Sequence, residues 1–212
     1  MSVVTISAAF GAGGSEIGPA VAAGLGLPFF DRAIPVSVAG RLGIPVRDAQ
    51  EKDERVDAGW WRVLSSMSFV PDAAGVGPYG RAAVPDERTF QLQTEQVLHD
   101  VADSGGVILG RAAAIVLVEA ESALHVRLTG PVEARIRAHA QRNGLAEKDA
   151  EQEVRENDSA REAYVKRLYH CDATQCRHYH LVIDTTVLPW EAVTDLIVRA
   201  AQARRIAEPM PG

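Results

Sequence analysis

The sequence predicts an α/β fold: a three-layer arrangement in which a parallel sheet carries helices on both faces. Three observations support it. Short apolar runs of strand length alternate with helical stretches along the chain, the order that a parallel sheet with crossover helices requires. The first run, Val3-Val4-Thr5-Ile6-Ser7, leads into a glycine-rich turn, Gly11-Ala12-Gly13-Gly14, that opens a helix. The 212 residues, 47% of them hydrophobic, suffice for one domain with its own core and room for an insertion.

The elements follow in order. From Ser15 to Leu25 the apolar residues Ile17, Val21 and Leu25 recur every four positions, and Gly24, Gly26 and Pro28 end that helix. Leu27-Pro28-Phe29-Phe30-Asp31 reads as a short strand or the entry to a second layer. Residues 33–104 differ in character, with helices expected at 34–42 and 46–56, the Trp60-Trp61 pair, and a glycine- and proline-rich loop from Pro71 to Pro85. A helix from Asp86 to Ser104 closes the stretch, its apolar face made by Phe90, Val97, Leu98 and Val101. The stretch is too long for a simple crossover. It is expected to be a mostly helical insertion over the carboxyl edge of the sheet, where open α/β folds bind ligands. Val107-Ile108-Leu109 and Ala123 to Leu128 are strands, and Gly130-Pro131 opens the next helix. Residues 145–169 read as one long charged helix or two joined ones, Leu181 to Asp184 as the last strand, and Pro189 to Arg205 as the last helix. Residues 1–212 are therefore expected to form a single domain, with 33–104 inserted.

Composition narrows the function classes. A net charge of −6 and 6% aromatic residues disfavour a partner in polymeric nucleic acid. No apolar run approaches the roughly 18–20 residues that span a bilayer, so no membrane partner is expected. The first residues show no basic segment followed by an apolar one, and two cysteines make no disulfide framework. A cytoplasmic protein is expected, and its oligomeric state is left open.

The sharpest local feature is Ile6-Ser7-Ala8-Ala9-Phe10-Gly11-Ala12-Gly13-Gly14-Ser15-Glu16-Ile17-Gly18. A strand, a glycine-rich turn and a helix start make an anion site, because backbone N–H groups converge there and the helix dipole adds positive potential. The phosphate-loop pattern G-x-x-x-x-G-K-[ST] would need a glycine at position 8, a lysine at 14 and a hydroxyl at 15. Here Ala8, Gly13, Gly14 and Ser15 stand in that register. The second glycine and the hydroxyl are present; the first glycine and the lysine are not.

This stretch, followed by Leu25-Gly26-Leu27-Pro28-Phe29-Phe30-Asp31, resembles the opening of the bacterial cytidylate kinase-like family, a divergent branch of the P-loop nucleoside monophosphate kinases. The resemblance continues in order through Val107-Ile108-Leu109-Gly110-Arg111, Asp158-x-x-Arg161-x-x-Tyr164 and Tyr179-x-Leu181-Val182-Ile183-Asp184. It implies a P-loop kinase fold that uses ATP and Mg²⁺ on a small nucleotide substrate. The segment 33–104 would bind the acceptor, and 145–180 would form the lid region.

The resemblance also implies roles. Gly11, Ala12, Gly13, Gly14, Ser15 and Glu16 would cradle the donor phosphates, with the Ser15 hydroxyl toward Mg²⁺. Arg135 resembles a position that packs on the donor base. Arg155, Asp158 and Arg161, three apart and thus on one helical face, resemble a catalytic lid; a surface salt-bridge ladder is the ordinary reading of such spacing. Lys166 and Arg167 are further candidates for the absent lysine's charge. Asp31, Arg32 and Arg111 would face the acceptor nucleotide, although Asp31 also suits a helix cap. The family pattern carries an acidic residue three positions after Arg111, where this chain has Ala114; the departure bears on cytosine specificity. Asp184 would place a donor-side loop or act as a cap. Cys171, Cys176 and neighbouring histidines offer zinc-ligand types, but their spacing fits no knuckle, so a solvated loop is favoured over a structural zinc.

Phosphoryl transfer needs positioned donors and cations more than a protein nucleophile. The leading expectation is a phosphotransferase moving the ATP γ-phosphoryl to a nucleoside monophosphate such as CMP. Two alternatives stand beside it. One is a nucleotide-binding pseudokinase or sensor, favoured by Gly14 in place of lysine; the other is a kinase for another small metabolite.

Overall fold

The computed structural model describes residues 2–31, 87–110 and 112–206. The chain divides into two compact units, Met1–Asp31 with Leu98–Gly212, and Arg32–Val97. The expected helices at 34–42 and 46–56, the Trp60-Trp61 pair, the Pro71–Pro85 loop, and the candidate residues Arg32 and Arg111 lie outside the described residues. Of the second unit, the structure describes the start of one helix, α2 (Glu87–Ser104), whose sequence continues into the first unit.

The first unit is built on a five-stranded sheet of order β2-β3-β1-β4-β5 among the described residues. Its strands are β1 (Val3–Ala8), β2 (Phe29–Phe30), β3 (Gly106–Leu109), β4 (Ala123–Thr129) and β5 (Leu181–Asp184). Every pairing is parallel, with Val4 opposite Val107 and Leu124, and Leu128 opposite Ile183. The helices are α1 (Gly14–Leu25), the short α3 (Ala113–Val116), α4 (Val132–Asn143), α5 (Glu147–Tyr169) and α6 (Trp190–Ile206). The expected three-layer α/β architecture is what the chain adopts. The charged stretch after residue 145 is one helix, and α3, too short for periodicity to reveal, was not anticipated.

Alternation along the strands divides the core. Val4 and Ile6 of β1, with Val126 and Leu128 of β4, face Ile17 and Val21 of α1 and Val193 and Ile197 of α6. The buried members of this cluster are apolar, and their removal from water is the main term holding the layer on the sheet. A smaller cluster, Ile136 with Ala150 and Val154, joins α4 to α5 and packs against Phe10 in the turn after β1. That contact brings the α4–α5 hairpin to the glycine-rich loop.

On the opposite face of the sheet β1 and β4 carry polar residues beside the apolar Val3 and Ala123. Thr5 and His125 are 1% and 3% exposed, and the Thr5 hydroxyl lies 2.8 Å from His125 Nδ1. His180 stacks on His125 at 5.0 Å, and its Nδ1 accepts the His125 backbone N–H. The His180 N–H in turn donates to the His125 carbonyl, continuing the β4–β5 pairing by one residue. Burial, and then the neighbouring His180, lower the His125 pKa to about 4, against a weaker opposing effect of the Leu117 carbonyl.

A histidine held neutral in the fold makes stability depend on pH with a definite sign. Below about pH 6.5 the unfolded chain takes up a proton at His125 that the folded chain refuses until about pH 4. Stability should therefore fall as pH drops through that window. Thermal unfolding should show a Tm decrease of roughly 5 °C or more, and His125→Asn, which does not titrate, should flatten the slope. Equal slopes in the two proteins would contradict the assignment.

Candidate functional site

The loop between β1 and α1 can be accounted for group by group. Gly11 and Gly13 adopt φ of 81° and 78°, a left-handed conformation that side chains disfavour. At Gly13 space is short as well: a Cβ there would lie 2.6 Å from the Trp190 ring. These two positions turn the chain back between β1 and α1.

Each carbonyl from residue 8 to residue 13 has a donor. Arg161 donates to the Ala8 carbonyl at 2.7 Å, and the Ala12 N–H closes a turn onto Ala9. Arg135 donates to Phe10 at 2.7 Å and Arg142 to Gly11 at 2.8 Å. The Thr185 hydroxyl donates to Ala12 at 3.0 Å, and the Gly13 carbonyl begins the ladder of α1. Three of these donors are arginines on α4 and α5.

The arginines are themselves held. Arg135 is 4% exposed, and besides Phe10 it donates to the Gly130 carbonyl and pairs with Asp158 at 2.7 Å. The other Asp158 oxygen accepts the Phe10 N–H at 2.8 Å. Asp158 thus neutralises a buried guanidinium and anchors the loop with one carboxylate, the bidentate use for which this side chain is suited. Arg142 lies over the Trp190 ring at 4.4 Å, and burial lowers its pKa despite the opposing influence of Glu16. Arg161 stands over the Phe10 ring at 5.6 Å.

Among the N–H groups, Ala9 donates to Leu128 and Phe10 to Asp158. Those of Gly11, Gly13, Gly14 and Ser15 find no acceptor among the described residues. Four unpartnered donors around the positive end of the twelve-residue helix α1 form a cradle for an anion with several oxygens. The Ser15 hydroxyl donates to the Glu16 carboxylate at 2.9 Å on the exposed rim. Such a donor set could take a phosphate chain, and the Ser15 and Glu16 oxygens are of the ligand type that Mg²⁺ prefers.

The remaining candidates fall in different places. Arg155 is exposed and pairs with Glu151 at 2.8 Å along its own helix, away from the loop contacts made by Asp158 and Arg161. Arg135 carries its guanidinium beneath the loop rather than into solvent. Asp31 follows β2 directly and is half-buried. Lys166 and Arg167 are exposed on α5. Asp184 caps the turn after β5, accepting the Thr186 N–H and hydroxyl. No group of three histidines, cysteines or carboxylates is placed to hold a metal among the described residues. In the 170–180 segment, the Ala173 carbonyl accepts from Arg127 of β4, which also donates to Ser7 of β1. Sequence reasoning passed over Arg142, Thr185 and Trp190. Only Trp190, a large aromatic after Pro189 at a helix start, carried a local signal.

A sequence model, that of the cytidylate kinase-like family, matches residues 3–187. The chain belongs to that family. A cytidylate kinase of Aeropyrum pernix is 30% identical over 124 residues, covering 58% of this chain and 72% of its own length. A uronate isomerase of Corynebacterium glutamicum is 33% identical over 151 residues, covering 70% of this chain, and this chain spans only 29% of its length. Among solved structures, an uncharacterized protein from Eubacterium ventriosum superposes with a TM-score of 0.64 at 17% identity, covering 95% of this chain and 98% of its own. A shikimate kinase from Acinetobacter baumannii, in complex with shikimate, gives 0.51 at 14% identity, covering 97% and 96%. At these identities the likeness is one of fold: the cytidylate kinase-like chain has the P-loop kinase fold. No helix among the described residues is long and apolar enough to cross a membrane.

The Arg135–Asp158 pair has a measurable consequence for this cytidylate kinase-like chain. Asp158→Ala would leave the buried guanidinium uncompensated and the Phe10 N–H without its acceptor. Urea unfolding should show a loss of about 3 kcal/mol, far more than an exposed pair contributes. Arg155→Ala, which breaks an exposed i,i+4 pair, should change stability by less than about 0.5 kcal/mol.

Proposed function

We propose that this protein binds ATP with Mg²⁺ through the loop between β1 and α1 and transfers the γ-phosphoryl group to a nucleoside monophosphate such as CMP. The observation that carries the reading is the set of four unpartnered N–H groups at Gly11, Gly13, Gly14 and Ser15. Membership of the cytidylate kinase-like family supplies the reaction class.

In the proposed reaction an oxygen of the acceptor phosphate bonds to the γ-phosphorus. The bond from that phosphorus to the β–γ bridging oxygen breaks, and ADP leaves with the electron pair. The protein contributes position and charge. The N–H groups of Gly11, Gly13, Gly14 and Ser15 hold the donor phosphates, while Ala12 and Glu16, whose N–H groups close onto Ala9 and Gly13, shape the same turn. The Ser15 hydroxyl would help to hold Mg²⁺, which when bound would supply charge neutralisation at the donor oxygens. Arg161, anchored on the Ala8 carbonyl, would approach the transferring group from α5, with Arg155 further along the same helix. Asp158 and Arg135 keep the loop in shape. Asp31, Arg32 and Arg111 are assigned to the acceptor, with 33–104 as its binding insertion and 145–180 as the lid. The cytoplasm, where free Cys171 and Cys176 stay reduced, is the proposed setting.

A second reading, nucleotide binding with little or no turnover, is favoured by one observation: Gly14 stands where the phosphate-loop lysine would be. Ala114 in place of the family's acidic residue favours a different acceptor. Incubation with Mg-ATP and a panel of CMP, dCMP, UMP, AMP and GMP separates these. ADP formation with one pyrimidine nucleotide is expected, with Arg161→Ala reducing the rate about 100-fold. A Tm rise with ATP and no ADP from any acceptor would favour the sensor. No binding of ATP at millimolar concentration would overturn both.

Gly13→Ala supplies an independent check. Its methyl would enter the Trp190 ring in a backbone conformation that alanine resists. The variant should lose the ATP-induced Tm shift and unfold at lower temperature; an unchanged shift would place the nucleotide elsewhere.

A further inference from the structure

The sequence departs from the phosphate-loop pattern at two positions, Ala8 in place of a glycine and Gly14 in place of the lysine. The structure makes them one departure. A Cβ built on Gly14 lies 2.6 Å from the Ala8 Cβ and 3.1 Å from Leu109 Cδ1. The leucine tip can rotate away. The Ala8 methyl cannot, because it is fixed to backbone that ends β1, pairs with Leu128 across the sheet, and is held at its carbonyl by Arg161. Two Cβ atoms cannot occupy that separation, so only one of positions 8 and 14 can carry a side chain. The pattern with glycine at 8 leaves room for lysine at 14; this chain has the opposite arrangement.

We propose that Ala8 and Gly14 are a matched steric pair that closes the inside of the loop to any side chain at position 14, so that the loop holds its phosphate by backbone N–H groups alone. Gly14 lies in the first turn of α1 and has no left-handed backbone. Its need for glycine is therefore one of space and not of conformation. Alanine at an unhindered helical glycine ordinarily stabilises a protein by restricting the unfolded chain. Here the sign should reverse, because the added methyl overpacks a rigid contact. The same contact explains why the absent lysine could not be recovered by a single replacement.

The test is a pair of double-mutant cycles read by thermal unfolding and by titration calorimetry with inorganic tripolyphosphate at low salt. Gly14→Ala alone should lower Tm by roughly 5 °C, and Ala8→Gly/Gly14→Ala should recover most of that loss relative to Ala8→Gly. Gly14→Lys alone should be destabilised and gain no affinity, whereas Ala8→Gly/Gly14→Lys should bind tripolyphosphate about 10-fold more tightly than the natural chain. A Tm for Gly14→Ala equal to or above the natural one, with no coupling between the two sites, would overturn the proposal, as would tighter binding by Gly14→Lys with Ala8 in place. The binding arm rests on the phosphate-site reading under Proposed function, and the Tm arm does not. Coupling in Tm with no tripolyphosphate binding by any variant supports the steric pair and removes the phosphate reading.

Discussion

The buried ion pair between Arg135 and Asp158 is the contact on which the geometry of the loop depends. A guanidinium 4% exposed is tolerated only when its charge is met and its donors are used. Here it is met by one carboxylate oxygen at 2.7 Å and by the carbonyls of Phe10 and Gly130. The second carboxylate oxygen then takes the Phe10 N–H. Both backbone groups of one loop residue are thereby fixed by side chains from two helices distant in sequence. Arg142 and Arg161 repeat the device on Gly11 and Ala8. With the carbonyls occupied, the N–H groups of Gly11, Gly13, Gly14 and Ser15 are left without acceptors among the described residues.

This arrangement changes the meaning of the lysine missing at position 14. In the loop pattern read from sequence, its absence looked like the loss of one charge from an otherwise ordinary site. In the structure, the methyl of Ala8 stands in the space that a side chain at 14 would need. The loop is shaped from without by arginines and from within by the absence of side chains. Backbone dipoles and the α1 terminus, with the arginines on the loop carbonyls, would meet an anion already in place.

The fold was legible because its signals are local. The β-branched run Val3 to Ser7, the turn at Gly11 to Gly14, and the four-residue recurrence of Ile17 and Val21 each specify structure within a few residues. They fell where expected, β1 at Val3–Ala8 and α1 at Gly14–Leu25. The site was legible in part. The loop was visible, and Asp158 and Arg161 were singled out by their spacing and resemblance; both reach the loop. Spacing alone did not tell them from Arg155, which shares their periodicity yet pairs with Glu151. The difference lies in how α5 is rotated against α4, set by Ala150 and Val154 packing on Ile136. The roles of Arg142, Thr185 and Trp190 depend on contacts across more than 130 residues of chain with Gly11, and across still longer spans with Ala12 and Gly13. No local pattern encodes them.

The proposed function requires the unpartnered amides of the loop to bind an anion. Amide chemical shifts followed during titration with Mg-ATP test it most directly, because they report each N–H separately. Saturable downfield shifts at Gly11, Gly13, Gly14 and Ser15, with little change at the already bonded Ala9 and Phe10, are the predicted result. Saturable shifts centred elsewhere, with these four amides unmoved, would contradict the account.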